Sequence, residues 1–244
     1  MIQRTPSSEK YKREYYTDWC RTHDDFLASG IPSGYPRALA YLDPTPGDRI
    51  LDIGCGRGEI VRQCVELGAS AVGLDYSQAA VEIARRDGTR DTVRAGATGI
   101  PFPACSFDKI LFMEILEHLD DSDLATALDE IKRVLRPGGR MVGSTPNRWG
   151  AALPKLAKVA GLLGLKAELA TRDDPFHINV KNPFSLQRKL KRSGFKVRLY
   201  LGQDYALYPF HVPTWKRLAS RLLFFTLHIW WIAEEPCEGQ AKVP

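Results

Sequence analysis

The sequence predicts an α/β protein built on a doubly wound sheet, mostly parallel, with an antiparallel last strand. Three observations predict it. Short apolar runs alternate with amphipathic helical segments between residues 49 and 145, the first run ends in the glycine cluster Gly54-Cys55-Gly56-Arg57-Gly58, and the second ends in Asp75. Glycines where a strand turns into a helix, with a carboxylate closing the next strand, form a ligand crevice at the carboxyl edge of such sheets.

The elements follow in order. Residues 49–53 (RILDI) read as a buried strand, 57–67 as a helix, 70–74 as a second strand and 77–86 as a second helix. Residues 91–94 form a third strand, 107–113 a fourth, 121–135 a helix ended by Pro137-Gly138-Gly139, and 140–145 a fifth strand. Helical crossovers between these strands require parallel pairing. Beyond Pro146, residues 151–169 are helix-compatible, 173–183 form a loop, and 184–192 form a helix stopped at Gly194. Residues 195–201 are a strand, turned at Gly202 into an antiparallel return over 204–208. The sheet is therefore expected to end by about residue 210. This gives an N-terminal helical lid over 1–40, a core over 41–210 with an insertion at 146–182, and a hydrophobic, basic helical segment over 211–244.

A chain of 244 residues has room for one domain with appendages. Its 34 basic and 29 acidic residues leave a net charge of +5, well short of a dedicated nucleic-acid binder. Cys20, Cys55, Cys64, Cys105 and Cys237 are scattered without metal-type spacing, so a disulfide framework and a structural zinc site are not expected, and a reducing cytosol is the expected compartment. Residues 1–16 are rich in Lys, Arg, Glu and Tyr and lack the apolar stretch of a signal peptide.

The glycine loop is G-x-G-x-G followed by Glu59, where dinucleotide sites prefer G-x-G-x-x-G, and a carboxylate beside a pyrophosphate is unfavourable. A nucleotide-like cofactor without phosphates fits better. Asp75 is placed to accept hydrogen bonds from both hydroxyls of a ribose, and Tyr76 to lie against the adenine.

Four stretches in this order, LDIGCGRG (51–58), GLDYS (73–77), IPFPACSFDKILFMEILEHL (100–119) and VLRPGGRMVGSTPN (134–147), resemble the class I S-adenosylmethionine-dependent methyltransferases over roughly residues 45–200. The resemblance implies a Rossmann-like fold and S-adenosylmethionine as cofactor, with S-adenosylhomocysteine as product. It assigns the methionine part to Asp52 and the backbone of Gly54, Cys55 and Gly56, the ribose to Asp75 and the adenine to Tyr76, with Met113 also on the cofactor. The family's adenine loop often carries an Asp where this chain has Gly96, so recognition of the adenine amine falls to Ala97 and Thr98.

Methyl transfer is an in-line displacement at a sulfonium, to which a protein contributes positioning, a dry site and, for a hydroxyl acceptor, a base. Glu114 directly follows the fourth strand, and His118 lies four residues on, on the same face if the segment is helical. Glu117 then points elsewhere, as an ordinary helix residue. His177 lies in a loop that borders the acceptor pocket in this family. Glu114, His118 and His177 are thus the candidate catalytic residues, each histidine having a structural reading beside the functional one. Asp173 and Asp174 have no companion ligand spacing, and no metal is expected. Tyr15 or Tyr16 lines the pocket if the N-terminal arm acts as a lid.

Residues 222–233 (LLFFTLHIWWIA) follow Trp215, Lys216, Arg217 and Arg221. As a helix they span about 18 Å, too short for a hydrocarbon core of about 30 Å. Two readings stand: peripheral membrane contact or the mouth of a lipophilic pocket through 213–233, and packing on the sheet or in a dimer. Residues 153–169 are a weaker second candidate for the same role. The function expected is methyl transfer to a small-molecule acceptor, at a hydroxyl of an amphiphilic or sugar-containing metabolite, lipophilic or glycosylated. No nucleic-acid partner is expected, since the Asn-Pro-Pro-Tyr type of signature is absent after the fourth strand. The alternatives are an N- or C-methyltransferase of a small molecule and a non-catalytic cofactor-binding partner subunit.

Overall fold

Parallel strands covered on both faces need apolar side chains in succession, and the strand Arg49–Ile53 (β1) supplies them, with every residue after the first buried. In the computed structural model, which describes residues 6–7, 10–16, 35–148, 176–200 and 228–236, β1 is an interior strand, third in a seven-stranded sheet. The helix Tyr35–Leu42 (α1) precedes it, and the helix Glu59–Glu66 (α2) leads to Ser70–Asp75 (β2). Gln78–Arg86 (α3) leads to Thr92–Arg94 (β3), and Phe107–Met113 (β4) is followed by a single 3₁₀ turn at Leu116–His118. Asp121–Val134 (α4), Leu135–Pro146 (β5), Pro183–Arg192 (α5), Lys196–Tyr200 (β6) and His228–Glu234 (β7) complete the described chain.

The strand order is β3-β2-β1-β4-β5-β7-β6. The first five strands pair in parallel, and β7 is antiparallel to both β5 and β6. The order reverses between β1 and β4, which opens a crevice at the carboxyl ends of the strands there. Three helix starts are capped by side chains, Ser77 on α3, Asp120 on α4 and the reciprocal Asn182–Ser185 pair on α5. The sheet separates two apolar layers. One contains Leu51, Ile53, Phe112 and Trp231 with residues of α4 and α5, the other Ile50, Leu111, Val142 and Trp230 with residues of α1 and α2.

Strands β1 and β4 have the predicted bounds, while α2 starts two residues late because Gly58 takes φ 73°, a left-handed conformation outside the helix. The Pro137-Gly138-Gly139 stop lies inside β5 as a register irregularity, tied to Glu235 by Gly138 N–H donating to its carbonyl and by its own N–H donating to Gly139.

The larger correction concerns the C-terminal apolar run. Residues 228–233 are not helical; they belong to β7, inserted between β5 and β6, so the sheet does not end by residue 210. Ile229, Trp231 and Ala233 enter one apolar layer and Trp230 and Ile232 the other, the alternation of a strand covered on both faces. Both tryptophans are buried, which removes them from any membrane surface. Gly143 of β5 faces Trp231, whose indole fills the space a Cβ there would take. The expected return over 204–208, the segments 151–169 and 211–227, and Asp173 and Asp174 lie outside the described residues. Among the described residues no helix is long and apolar enough to cross a membrane.

Candidate functional site

The glycine loop joins β1 to α2 with Gly54 at φ 75°, Gly56 at φ 54° and Gly58 at φ 73°, all in the left-handed region that side chains disfavour. A Cβ on Gly54 would overlap Ile115 Cδ1, and one on Gly58 would stand 2.5 Å from Thr89 Oγ1. The backbone amides of Gly54 and Cys55 donate to the Leu74 carbonyl at 2.7 and 3.1 Å, and Gly56 N–H donates to Asp75 Oδ2 at 2.9 Å. The loop amides expected to face the methionine part are therefore engaged within the protein. Asp75 also accepts from Ser77 N–H through Oδ1 at 2.8 Å, which fixes the plane of its carboxyl. The Tyr16 hydroxyl and the Tyr76 backbone also hydrogen-bond to it, so its acceptor sites are engaged within the ligand-free protein.

Asp52 is 3% exposed, and its Oδ2 has no hydrogen-bond partner among the described residues. Burial, with the charges of Asp75 and Glu59 nearby, pushes its carboxyl up to about 8. Asp75 is raised to about 6 by burial, against the opposing hydrogen bonds of Ser77 and Gly56. Glu59 is buried and paired with Arg57 at 2.6 Å. Three buried carboxyls answered by one guanidinium make a crevice hostile to a pyrophosphate and suited to a cation. A ligand bearing an ammonium and a sulfonium fits the unpartnered oxygen of Asp52.

The segment 10–16 lies over this crevice. Arg57 donates to the Tyr16 carbonyl at 3.2 Å, Ser77 Oγ to the Tyr11 carbonyl at 2.6 Å, and Tyr76 Oη to the Pro6 carbonyl at 3.1 Å. Tyr76 is 40% exposed, and a Cβ on Gly96 would stand 3.6 Å from its ring. The loop bearing buried Ala97 and exposed Thr98 thus sits beside Tyr76, as an adenine pocket requires. Cys55 is buried against Gly73, and Met113 closes β4 against the second apolar layer.

The other side of the crevice is built on the turn after β4. Glu114 has φ 53°, and its N–H donates to the Ser144 carbonyl at 3.0 Å. Its carboxylate accepts from Ser144 Oγ and stands 3.5 Å from His228 Nε2. Burial acts to raise Glu114, but the charge and hydrogen bond of His228 and the Ser144 hydroxyl outweigh it and hold the group below the ordinary glutamate range. The turn at Leu116–His118 is 3₁₀, so the helical relation expected between Glu114 and His118 does not hold.

Glu117 is the residue misread from the sequence. It is fully buried, its Oε2 accepts from Thr145 Oγ1 at 2.9 Å, and its Oε1 stands 3.9 Å from His177 Nε2. Burial and then the charge of Glu114 push it well above the usual carboxylate range. Its backbone carbonyl accepts both Ile178 N–H and Asn179 N–H at 2.9 Å, which fastens the 176–179 segment to the turn. His118 and His177 meet with ring centroids 4.9 Å apart, and His118 Nδ1 lies 3.2 Å from both the Phe176 carbonyl and Tyr11 Oη. Tyr11, Tyr15 and Phe176 pack around them, while Tyr16 is buried closer to the glycine loop. The structure brings together Glu114, His118 and His177, and adds Glu117, Thr145, Ser144 and His228, which spacing alone did not select.

A methyltransferase-domain family matches residues 51–143. The ubiquinone biosynthesis O-methyltransferase of Chelativorans sp. is 33% identical over 178 residues, covering 69% of this chain and 67% of that protein. The protein of the same name from Dinoroseobacter shibae is 35% identical over 129 residues, 51% of each. This chain spans about half the length of the first curated relatives it matches, 51% and 56%. Among solved structures, an S-adenosylmethionine-dependent methyltransferase from Archaeoglobus fulgidus superposes with a TM-score of 0.58 at 22% identity, over 82% of this chain and 90% of that one, a likeness of fold. On the kinship with the Chelativorans protein and the family match over residues 51–143, the chain belongs to the class I S-adenosylmethionine-dependent methyltransferase family.

Proposed function

We propose that the chain transfers a methyl group from S-adenosylmethionine to a hydroxyl of a small-molecule acceptor, amphiphilic or sugar-containing. The observation that carries this reading is the buried Asp52 on β1, whose Oδ2 has no hydrogen-bond partner among the described residues. The names of the relatives, both O-methyltransferases, support oxygen as the accepting atom. When bound, the cofactor supplies an electrophilic methyl on sulfur. Asp52 balances the ligand's positive charge, Asp75 exchanges the Tyr16 hydroxyl for the ribose hydroxyls, and Tyr76 with Ala97 and Thr98 flanks the adenine. Gly54 and Gly56 admit the methionine part by lacking bulk along the loop, Cys55 turns its side chain away against Gly73, and Met113 borders it. Glu114, His118 and His177 hold the acceptor and manage its proton, and Tyr11, Tyr15 and Phe176 exclude water as a lid.

The test incubates the chain with labelled S-adenosylmethionine and polyphenols, glycosides and lipid-linked acceptors, and reads product mass and regiochemistry. An O-methylated product supports the reading. Label on nitrogen or carbon favours the N- or C-methyltransferase alternative, and cofactor binding without turnover on any acceptor favours the non-catalytic one.

A further inference from the structure

We propose that Glu130 and Arg133, three residues apart on α4, are positioning residues for cofactor selection: they clamp the loop beside Tyr76 in the one position from which its turn reads adenine. The inference rests on the adenine site proposed above. The segment 95–102, which follows β3, has two anchors. At the near end Ala95 N–H donates to the Asp75 carbonyl at 3.0 Å, which ties the segment to the residue that closes β2. At the far end side chains of α4 take both backbone groups of Ile100. Its N–H donates to Glu130 Oε2 at 2.8 Å, and its carbonyl accepts from Arg133 Nη2 at 2.8 Å. Arg133 Nη1 donates to the Phe102 carbonyl at 2.7 Å, and Arg133 Nε to Glu130 Oε1 at 2.7 Å. One guanidinium thus spans two carbonyls and a carboxylate, which its planar fork of donors permits.

The local sequence explains why the loop needs an outside anchor. Pro101 and Pro103 have no N–H to give to a ladder, so side chains from elsewhere must hold the stretch. The helix that supplies them is a firm mount, because Leu124, Ala127, Leu128, Ile131 and Val134 are buried along it and Asp120 caps its start. The Arg133 guanidinium holds Glu130 below the usual glutamate range, which keeps it an ionised acceptor for Ile100 N–H at neutral pH.

Between the anchors lies the turn 96–99, closed by Gly99 N–H donating to the Gly96 carbonyl at 3.1 Å. The amides of Ala97 and Thr98 within it donate to no backbone carbonyl among the described residues. Gly96, beside the Tyr76 ring, brings no side chain to the base, so selection falls on the turn itself. An amide N–H suits the ring nitrogen N1 of adenine, an acceptor, and opposes the N1–H of hypoxanthine, a donor. Hydrogen-bond lengths span only about 0.5 Å, so a turn that drifts from its place loses the distinction.

The test measures binding of S-adenosylhomocysteine and of its hypoxanthine analogue, S-inosylhomocysteine, to the full chain by calorimetry. The native chain should favour the adenine compound by at least about tenfold. Arg133→Met keeps an apolar stem and removes the donors, and should weaken binding of the adenine compound about tenfold while leaving the analogue nearly unchanged, so the preference collapses. Arg133→Lys, a point charge unable to span both carbonyls, should fall between the two. Val197→Ala on β6, at the other end of the strand order from β3, should lower the melting temperature with the preference intact. Circular dichroism certifies folding, and Glu130→Gln, which should also lower the preference, serves if Arg133→Met does not fold. With a native preference in hand, an unchanged preference in the folded variants, or equal losses for both ligands, overturns the clamp alone. Binding by the native chain without preference counts against the adenine site and removes the clamp's role with it.

Discussion

Binding of a cationic cofactor should expel a proton from Asp52. In the ligand-free chain burial and two neighbouring carboxyls hold this group at about 8, so at pH 7 about nine chains in ten carry it protonated. A ligand cation against the unpartnered Oδ2 favours the ionised form, and binding should release about 0.9 proton from Asp52 at pH 7, falling to about 0.1 at pH 9. Asp75, at about 6, adds about 0.1 at pH 7. Titration calorimetry with S-adenosylmethionine in buffers of different ionisation enthalpy counts these protons directly. Asp52→Asn should bring the count at pH 7 close to zero. The same reasoning fixes a stability trend. A carboxyl raised on folding contributes stability that is full below its unfolded value of about 3.9 and is lost as pH rises through about 8. The ligand-free chain should therefore lose thermal stability between pH 5 and pH 8, and Asp52→Asn should lose less. Zero proton release by the native chain at pH 7, or equal release by Asp52→Asn, would refute the electrostatic account of the crevice.

Asp75→Ala should weaken cofactor affinity by about 1.5–3 kcal/mol, the worth of hydrogen bonds to a charged group, read by calorimetry. Gly54→Ala places a Cβ on Ile115 in a left-handed backbone, and should abolish cofactor binding while lowering the melting temperature. Trp231→Ala should cost about 3–5 kcal/mol in urea unfolding, since a fully buried indole leaves a cavity between β5 and α4. Gly143→Ala should destabilise the native sequence strongly and be relieved only in part by Trp231→Phe, since its Cβ would also stand 2.6 Å from the Phe112 carbonyl oxygen, a partial coupling that additive, separate sites would not show.

The parallel half of the sheet was legible because most of its strands carry a short apolar stretch bounded by turn residues and alternate with amphipathic helices, and the glycine loop is a local signal. β7 was not, because a continuous run such as LLFFTLHIWWIA has neither the period of a helix nor that of a half-covered strand. Its partner glycine, Gly143, lies 88 residues before Trp231, and nothing in the sequence announces that pairing. Asp75 was singled out because it closes a strand, and Asp52 through the resemblance of the motif that holds it. Glu117 was missed because a positive φ at Glu114 and a 3₁₀ turn break the helical spacing assumed there, and its companion His177 is distant in sequence.

The position of β7 also sets an order of events during synthesis. Among the described residues β6 has no neighbour other than β7, and the outer edge of β5 is covered only by β7, yet β7 is the last described strand to leave the ribosome. Until residue 234 has emerged, the edge of β5 presents unpaired amides and carbonyls, and α5 with β6 has no sheet to join. The nascent chain can dock its cofactor crevice on five parallel strands while carrying an open edge that other chains can pair with. Slow translation through the segment before β7, or premature release there, should therefore raise aggregation of a chain whose glycine loop is already in place.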